Sequence, residues 1–100
     1  MPRVKMDKVQ GIATTVVETK HNSGSLIVVS YHQTAVVMIT PRNIRLNTGG
    51  WHTYTTKLRM NQASNQFGLG YKVFQRRGDW YVKYGGKVKP FEDDEILLRR

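Results

Sequence analysis

One hundred residues suit a single hydrophobic core and leave little room for two, and contents of 39% hydrophobic and 23% charged residues exclude wholesale disorder. Sixteen Lys and Arg stand against seven Asp and Glu, a net charge of +9, and four of those acids form the single run Glu92 to Glu95. The absence of cysteine excludes disulfides, a thiolate nucleophile and Cys-ligated zinc.

A surplus of one sign repels itself in the compact state and suits a polyanionic partner, a nucleic acid or an acidic protein face. The first ten residues, MPRVKMDKVQ, carry charge without a following apolar run, so they do not read as a secretory signal. The longest apolar runs, Leu26 to Val29 and Ala35 to Ile39, are too short to span a bilayer. The expectation is one soluble domain over residues 1–100 in a reducing cytoplasm, with no membrane partner.

In chain order, Met1 to Lys8 reads as a flexible basic arm. Val9 to Lys20 is rich in Thr and Val and predicts a strand, with Gly11 placing a bulge or bend near its start. His21-Asn22-Ser23-Gly24 has the chemistry of a tight turn, and Ser25 to Ser30 is the hairpin partner. The runs 26–29 and 35–39 are continuous, so both faces of these strands should find apolar cover, as central strands or as a pair at a homodimer interface. Pro41 ends the second run, and Asn43 to Leu46 predicts a short exposed strand.

The stretch from Asn47 to Gly70 is polar and free of carboxylates. It predicts the one helix, with Thr53 as N-cap, Thr56, Met60, Ala63 and Phe67 on the side facing the sheet, and Gly68 and Gly70 at its end. Tyr71 to Tyr84 predicts a hairpin turning at Arg77-Gly78, with Gln75 opposite Trp80 and Val73 opposite Val82 on the buried face. Lys87 to Lys89 is a further short strand, Pro90 a break, and residues 91–100 an acidic-then-basic tail able to add a last strand or helical turn at Ile96 to Leu98. The fold class is therefore α+β, a curved antiparallel sheet of about five to six short strands with one short helix packed on it.

The outer face of the second hairpin would oppose Phe74 to Tyr81, Lys72 to Lys83 and Arg76 to Asp79. Like charges directly opposed weaken a sheet, which is easier to understand if a polyanion neutralises them. Cations interleaved with rings on one sheet face are how β-platforms hold single strands, with phosphates at the cations and bases on the rings. The candidate nucleic-acid-binding residues are Lys57, Arg59, Lys72, Phe74, Arg76, Arg77, Tyr81 and Lys83. Against this stands the reading in which the helix or the tail buries both rings and the lysines merely snorkel at the edge. Gly49-Gly50 and the helix start could meet an anion, but no Gly-Lys-Ser/Thr follows at P-loop spacing, and ordinary capping explains them.

His21, His32 and His52 lie apart without ligand spacing, and the carboxylates outside the acidic run are only Asp7, Glu18 and Asp79. Neither pattern supplies a metal cluster, a cofactor cradle or an acid–base pair, so the expectation is a protein that is not an enzyme. The acidic run itself could fold over the basic hairpin as a phosphate mimic, meet a basic patch on another subunit, or stand as a solvated terminal segment.

The core NTGGWHTYTTKLRMNQASNQFGLGYKVFQRRGDWYV resembles small proteins encoded by tailed bacteriophages and prophages. The likeness rests on the Gly-Gly-Trp entry, the Thr-Thr-Lys-x-Arg-Met-Asn-Gln segment and the Val-Phe-Gln hairpin closing on Trp-Tyr-Val, and it extends from about Ser30 to Val82. The resemblance implies a phage origin and expression in the bacterial host cytoplasm, and carries over no catalytic residue. The expected function is sequence-nonspecific binding of DNA or RNA through phosphate contacts. The alternatives are a modulator that binds an acidic host protein and a minor virion or assembly component.

Overall fold

The computed structural model describes residues 9, 11, 13–21 and 24–99, with residue 21 by its backbone alone. The expected basic arm and the turn residues Asn22 and Ser23 lie outside the described residues. Eight strands and one helix follow in the order β1 (Thr14–His21), β2 (Gly24–Tyr31), β3 (Thr34–Ile39), β4 (Asn43–Leu46), α1 (Tyr54–Gln66), β5 (Lys72–Arg76), β6 (Asp79–Tyr84), β7 (Lys87–Pro90) and β8 (Glu95–Leu98). The class is α+β, as expected. The strands exceed the expected number and divide into two antiparallel sheets, β1-β2-β3-β4-β8 and β5-β6-β7.

The division follows from the return of the chain. After β4 it leaves the first sheet, builds α1 and the small sheet, and comes back as β8, which pairs Ile44 with Leu97 and Arg45 with Ile96. β4 is therefore an interior strand, with Ile44 and Leu46 fully buried, and the expectation of an exposed strand at Asn43 to Leu46 is corrected. The four-residue signal N-I-R-L alternates as an edge strand would; the neighbour that covers it lies 49 or more residues further on.

The continuous apolar runs are resolved in two ways. A bulge between β2 and β3 pairs Val29 with Val37 and then Ser30 with Ala35, so the adjacent Val36 and Val37 both turn inward, at 1% and 0% exposure. The other face is not fully covered: Val17, Val28, Met38, Arg45 and Ile96 form a row across the five strands, with Val28 and Met38 half-buried and Val17 and Ile96 exposed.

Helix α1 begins where the sequence predicts. Thr53 is the N-cap, its Oγ1 accepting from the Thr56 amide at 3.2 Å, and Gly68, at φ +63°, takes the left-handed step after the helix while the Leu69 amide donates to the Ser64 carbonyl at 2.9 Å. Thr56, Met60 and Ala63 are buried and Phe67 partly so.

The helix also buries a polar stripe. The Asn61 side-chain amide donates to the Val73 carbonyl and accepts from the Val73 amide, both at 2.8 Å. Three residues on, Ser64 Oγ donates to the Tyr71 carbonyl at 2.6 Å and accepts from its amide at 3.1 Å. The two side chains stand one turn apart on one face, and the residues they meet are two apart, Val73 in β5 and Tyr71 just before it. They satisfy backbone groups that a neighbouring strand would otherwise have to pair. The Tyr71 hydroxyl, its pKa pushed up by burial, donates to the Met60 carbonyl at 2.5 Å. Val29, Val37, Ile39, Ile44, Leu46 and Leu97 from the large sheet then share one core with Met60 and Ala63 of α1 and with Val73, Trp80 and Val82 of the small sheet.

Three of the four acidic-run residues, Asp93 to Glu95, are part of this framework, while Glu92 is exposed. Asp93 Oδ1 accepts from the Thr48 amide at 2.8 Å and the Thr48 hydroxyl at 2.7 Å. Asp94 accepts from Asn47 at 2.7 Å and pairs with Arg45 at 3.0 Å, while Glu95 pairs with Lys89 at 3.2 Å. These carboxylates tie the loop after β4 and strand β7 to the segment that leads into β8.

Replacing Asn61 by Ala removes the pairing of both Val73 backbone groups. The expected loss is about 1–3 kcal/mol for a partly buried pair left without partners, read as a lower urea midpoint at unchanged slope. An unchanged midpoint would mean that water serves the β5 edge equally well.

Candidate nucleic-acid interface

The second hairpin has the register expected from its sequence. Lys72 faces Lys83, Val73 faces Val82, Phe74 faces Tyr81, Gln75 faces Trp80 and Arg76 faces Asp79. The turn residues Arg77 and Gly78 sit at φ +54° and +85°, the doubly left-handed geometry that matches the twist of a two-residue hairpin. Val73, Trp80 and Val82 point inward and are buried. By alternation, Lys72, Phe74, Arg76, Tyr81 and Lys83 share the outer face.

On that face the Phe74 and Tyr81 rings stack on each other, centroids 5.7 Å apart and planes 24° apart, and both remain half-buried. The Arg76 guanidinium carbon lies 5.7 Å from the Phe74 ring centre. Lys72, Arg76 and Lys83 are exposed. The third strand enlarges the surface in a way that sequence reasoning missed. β7 places Pro90 opposite Tyr81 and Val88 opposite Lys83, both exposed, so a ring–ring–proline row runs across the sheet beside a Lys–Lys–valine row. The alternation in Lys87-Val88-Lys89-Pro90 was the available signal, since it puts Val88 and Pro90 on one face and both lysines on the other.

The remaining candidates lie elsewhere. Arg77 is exposed at the hairpin tip. Lys57 belongs to the opposite side of the small sheet, with Nζ 3.3 Å from Gln75 Oε1 and 5.6 Å from the centre of the Trp80 ring. Arg59 is 8% exposed, its Nε donating to Thr14 Oγ1 at 2.8 Å and its Nη1 to Gln62 Oε1 at 3.1 Å. Gly11 lies directly against the Arg59 guanidinium, where a Cβ would overlap it. This arginine ties the start of β1 to the helix and presents no charge to the outer face of the hairpin. Thr14 at the start of β1 and Gly11 before it complete its burial.

One further feature borders the core. The rings of Tyr31 and Trp51, with Thr34, Thr53 and Thr56, line a cavity of about 300 Å³ at the start of α1. The hydroxyls of Thr53 and Thr56 lie 3.0 Å apart, so each is already engaged by the other. Among the described residues no cluster of His, Asp or Glu could hold a metal ion, and no helix is long and apolar enough to cross a membrane.

Opposed lysines and a buried arginine should respond oppositely to removal. Lys83→Gln is expected to raise stability by about 0.2–1 kcal/mol through relief of repulsion across the strands. Arg59→Leu is expected to lower it by about 1–3 kcal/mol because buried polar partners lose their donor. Thermal denaturation of the two variants at low salt measures both signs.

The model of the family described as Kyanoviridae Gp96 protein matches residues 4–98. The match reaches well beyond Ser30 to Val82, the span of the resemblance read from the motifs, and takes in both ends of the chain. No curated protein and no solved structure matches. With nearly its whole length matched, the chain belongs to the Kyanoviridae Gp96 family, a family of phage proteins.

Proposed function

We propose that this phage protein binds nucleic acid without enzymatic activity, in the cytoplasm of the bacterial host, through the outer face of the β5-β6-β7 sheet. The observation that carries this reading is the stacked Phe74–Tyr81 pair on a sheet face rimmed by Lys72, Arg76 and Lys83. Ring faces are sequence-tolerant platforms for unstacked bases, and the opposed Lys72 and Lys83 on one side of the rings with Arg76 on the other can meet the phosphates of a strand laid across them. Arg77 at the tip extends the same electrostatic field.

The opposed Lys72 and Lys83 supply a thermodynamic reason as well. Their repulsion is present in the free protein and is relieved when a polyanion lies between them, so binding recovers stability that the free sheet forgoes. Asp79, opposite Arg76, sits at the turn end of the face and leaves the lysine end uniformly positive.

The test is fluorescence anisotropy of a labelled single-stranded oligonucleotide across a salt series. Three phosphate contacts predict a slope of roughly −2 in log K against log salt concentration, from about −0.7 per contact on a single strand. Phe74→Ala with Tyr81→Ala is expected to weaken binding by about 1–3 kcal/mol for each base that loses its ring. Lys83→Gln should flatten the salt slope by about one contact. Absence of binding at low salt, or a slope that the lysine substitution leaves unchanged, rules the reading out.

A further inference from the structure

Four strand edges end the two sheets among the described residues, and three of them are protected. The edge of β5 is met by the Asn61 and Ser64 side chains. β7 is four residues long and carries Lys87, Lys89 and Pro90, while β8 is four residues long and begins beside Asp94 at φ +62°. Short length, lysine, proline and irregular backbone are the usual means of preventing edge-to-edge pairing.

β1 is the least guarded of the four: it has no proline, no bulge and twice the length of β7 or β8, with Lys20 near one end and Ala13 at φ +58° before the other as its only such features among the described residues. It runs eight residues, Thr14–His21, in unbroken register with β2. Its residues Thr15 to Lys20 are exposed, and the two valines at its middle stand 41% (Val16) and 55% (Val17) open, one toward each face of the sheet. A strand of this length in unbroken register, with apolar residues on both faces, is a template for another strand.

We infer that β1 is a self-association edge, pairing antiparallel with β1 of a second copy so that the two five-stranded sheets become one. The choice of a second copy rests on the self-complementarity of the segment. A two-fold axis requires each residue to meet its counterpart across one central position. Centred on Val17, the register lays Thr14 to Lys20 along Lys20 to Thr14 of the copy and brings the two exposed Val17 side chains together. Glu18 then faces Val16, and Lys20 faces Thr14, so no like charges oppose each other directly. Centred on Glu18, the register would oppose two carboxylates, which destabilises a strand pair. The edge lies on the large sheet, away from the hairpin face proposed for nucleic acid, so the inference is independent of that function.

The absence of cysteine makes the register directly testable. Nuclease-treated wild-type protein, at high salt to remove bound polyanion, is measured by sedimentation across the micromolar range. Val17→Lys sets two ammonium groups opposite each other at a site already exposed, so the fold should survive, as circular dichroism will check. Val17→Cys supplies the only thiol in the chain, and Val16→Cys is its neighbour control. The expected results are a doubling of the 11.5 kDa mass for the wild type and a dissociation constant weakened about tenfold or more by Val17→Lys. Mild oxidation should yield a disulfide dimer faster for Val17→Cys than for Val16→Cys. A wild-type monomer throughout, a dimer lost on removal of nucleic acid, or a dimer indifferent to both Val17 variants overturns the inference.

Discussion

Asn61 and Ser64 stand where a fourth strand of the small sheet would otherwise be. A three-stranded sheet leaves amide and carbonyl groups along both its edges, and next to a protein core such groups are costly unless paired. Helix α1 supplies the pairing from its own side chains, one turn apart, so it can lie against the edge of β5 while its Met60 and Ala63 face the common core. The position of the second hairpin, and with it the orientation of the basic face, depends on this seam.

The seam also explains why α1 is so polar. An amphipathic helix covering one sheet needs a single apolar stripe, whereas this helix has neighbours on two sides. Leu58, Met60 and Ala63 are buried together with Arg59, Gln62 and Ser64, each polar member hydrogen-bonded to a group that the fold brings to it. Buried polar groups that are fully paired in this way specify one arrangement of the elements, because any shift of the helix would strand several of them at once.

Charge is sorted by the same architecture. Asp93, Asp94 and Glu95 are engaged in anchoring Thr48, Asn47, Arg45 and Lys89, so the acidic run lies with the framework of the large sheet and does not lie over the hairpin. The basic surplus is left concentrated elsewhere, and on the outer face of the small sheet Lys72, Arg76 and Lys83 surround two rings that pack on each other. Ion pairing of Asp94 and Glu95 within the framework and an open cationic platform are thus two consequences of one placement of the last strand.

Much of this was legible in the residues. The hairpin register followed from Arg77-Gly78 and the alternation on either side of it, because a two-residue turn leaves one pairing that buries Val73, Trp80 and Val82 together. The helix limits followed from Thr53 and Gly68, since caps are local chemistry. What the chain alone determined was therefore local: turns, caps, alternation, and a basic surplus with rings interleaved. Tertiary structure decided the rest. It made β4 interior by returning β8 from 49 and more residues away, buried Arg59 under Gly11 and beside Thr14, and turned Asp93 to Glu95 from an expected tail into a clasp. The physical reason is that a side chain's period along the chain says which face it shares, whereas the partner that covers that face comes from a distant segment, whose approach depends on the pairing of every edge between them.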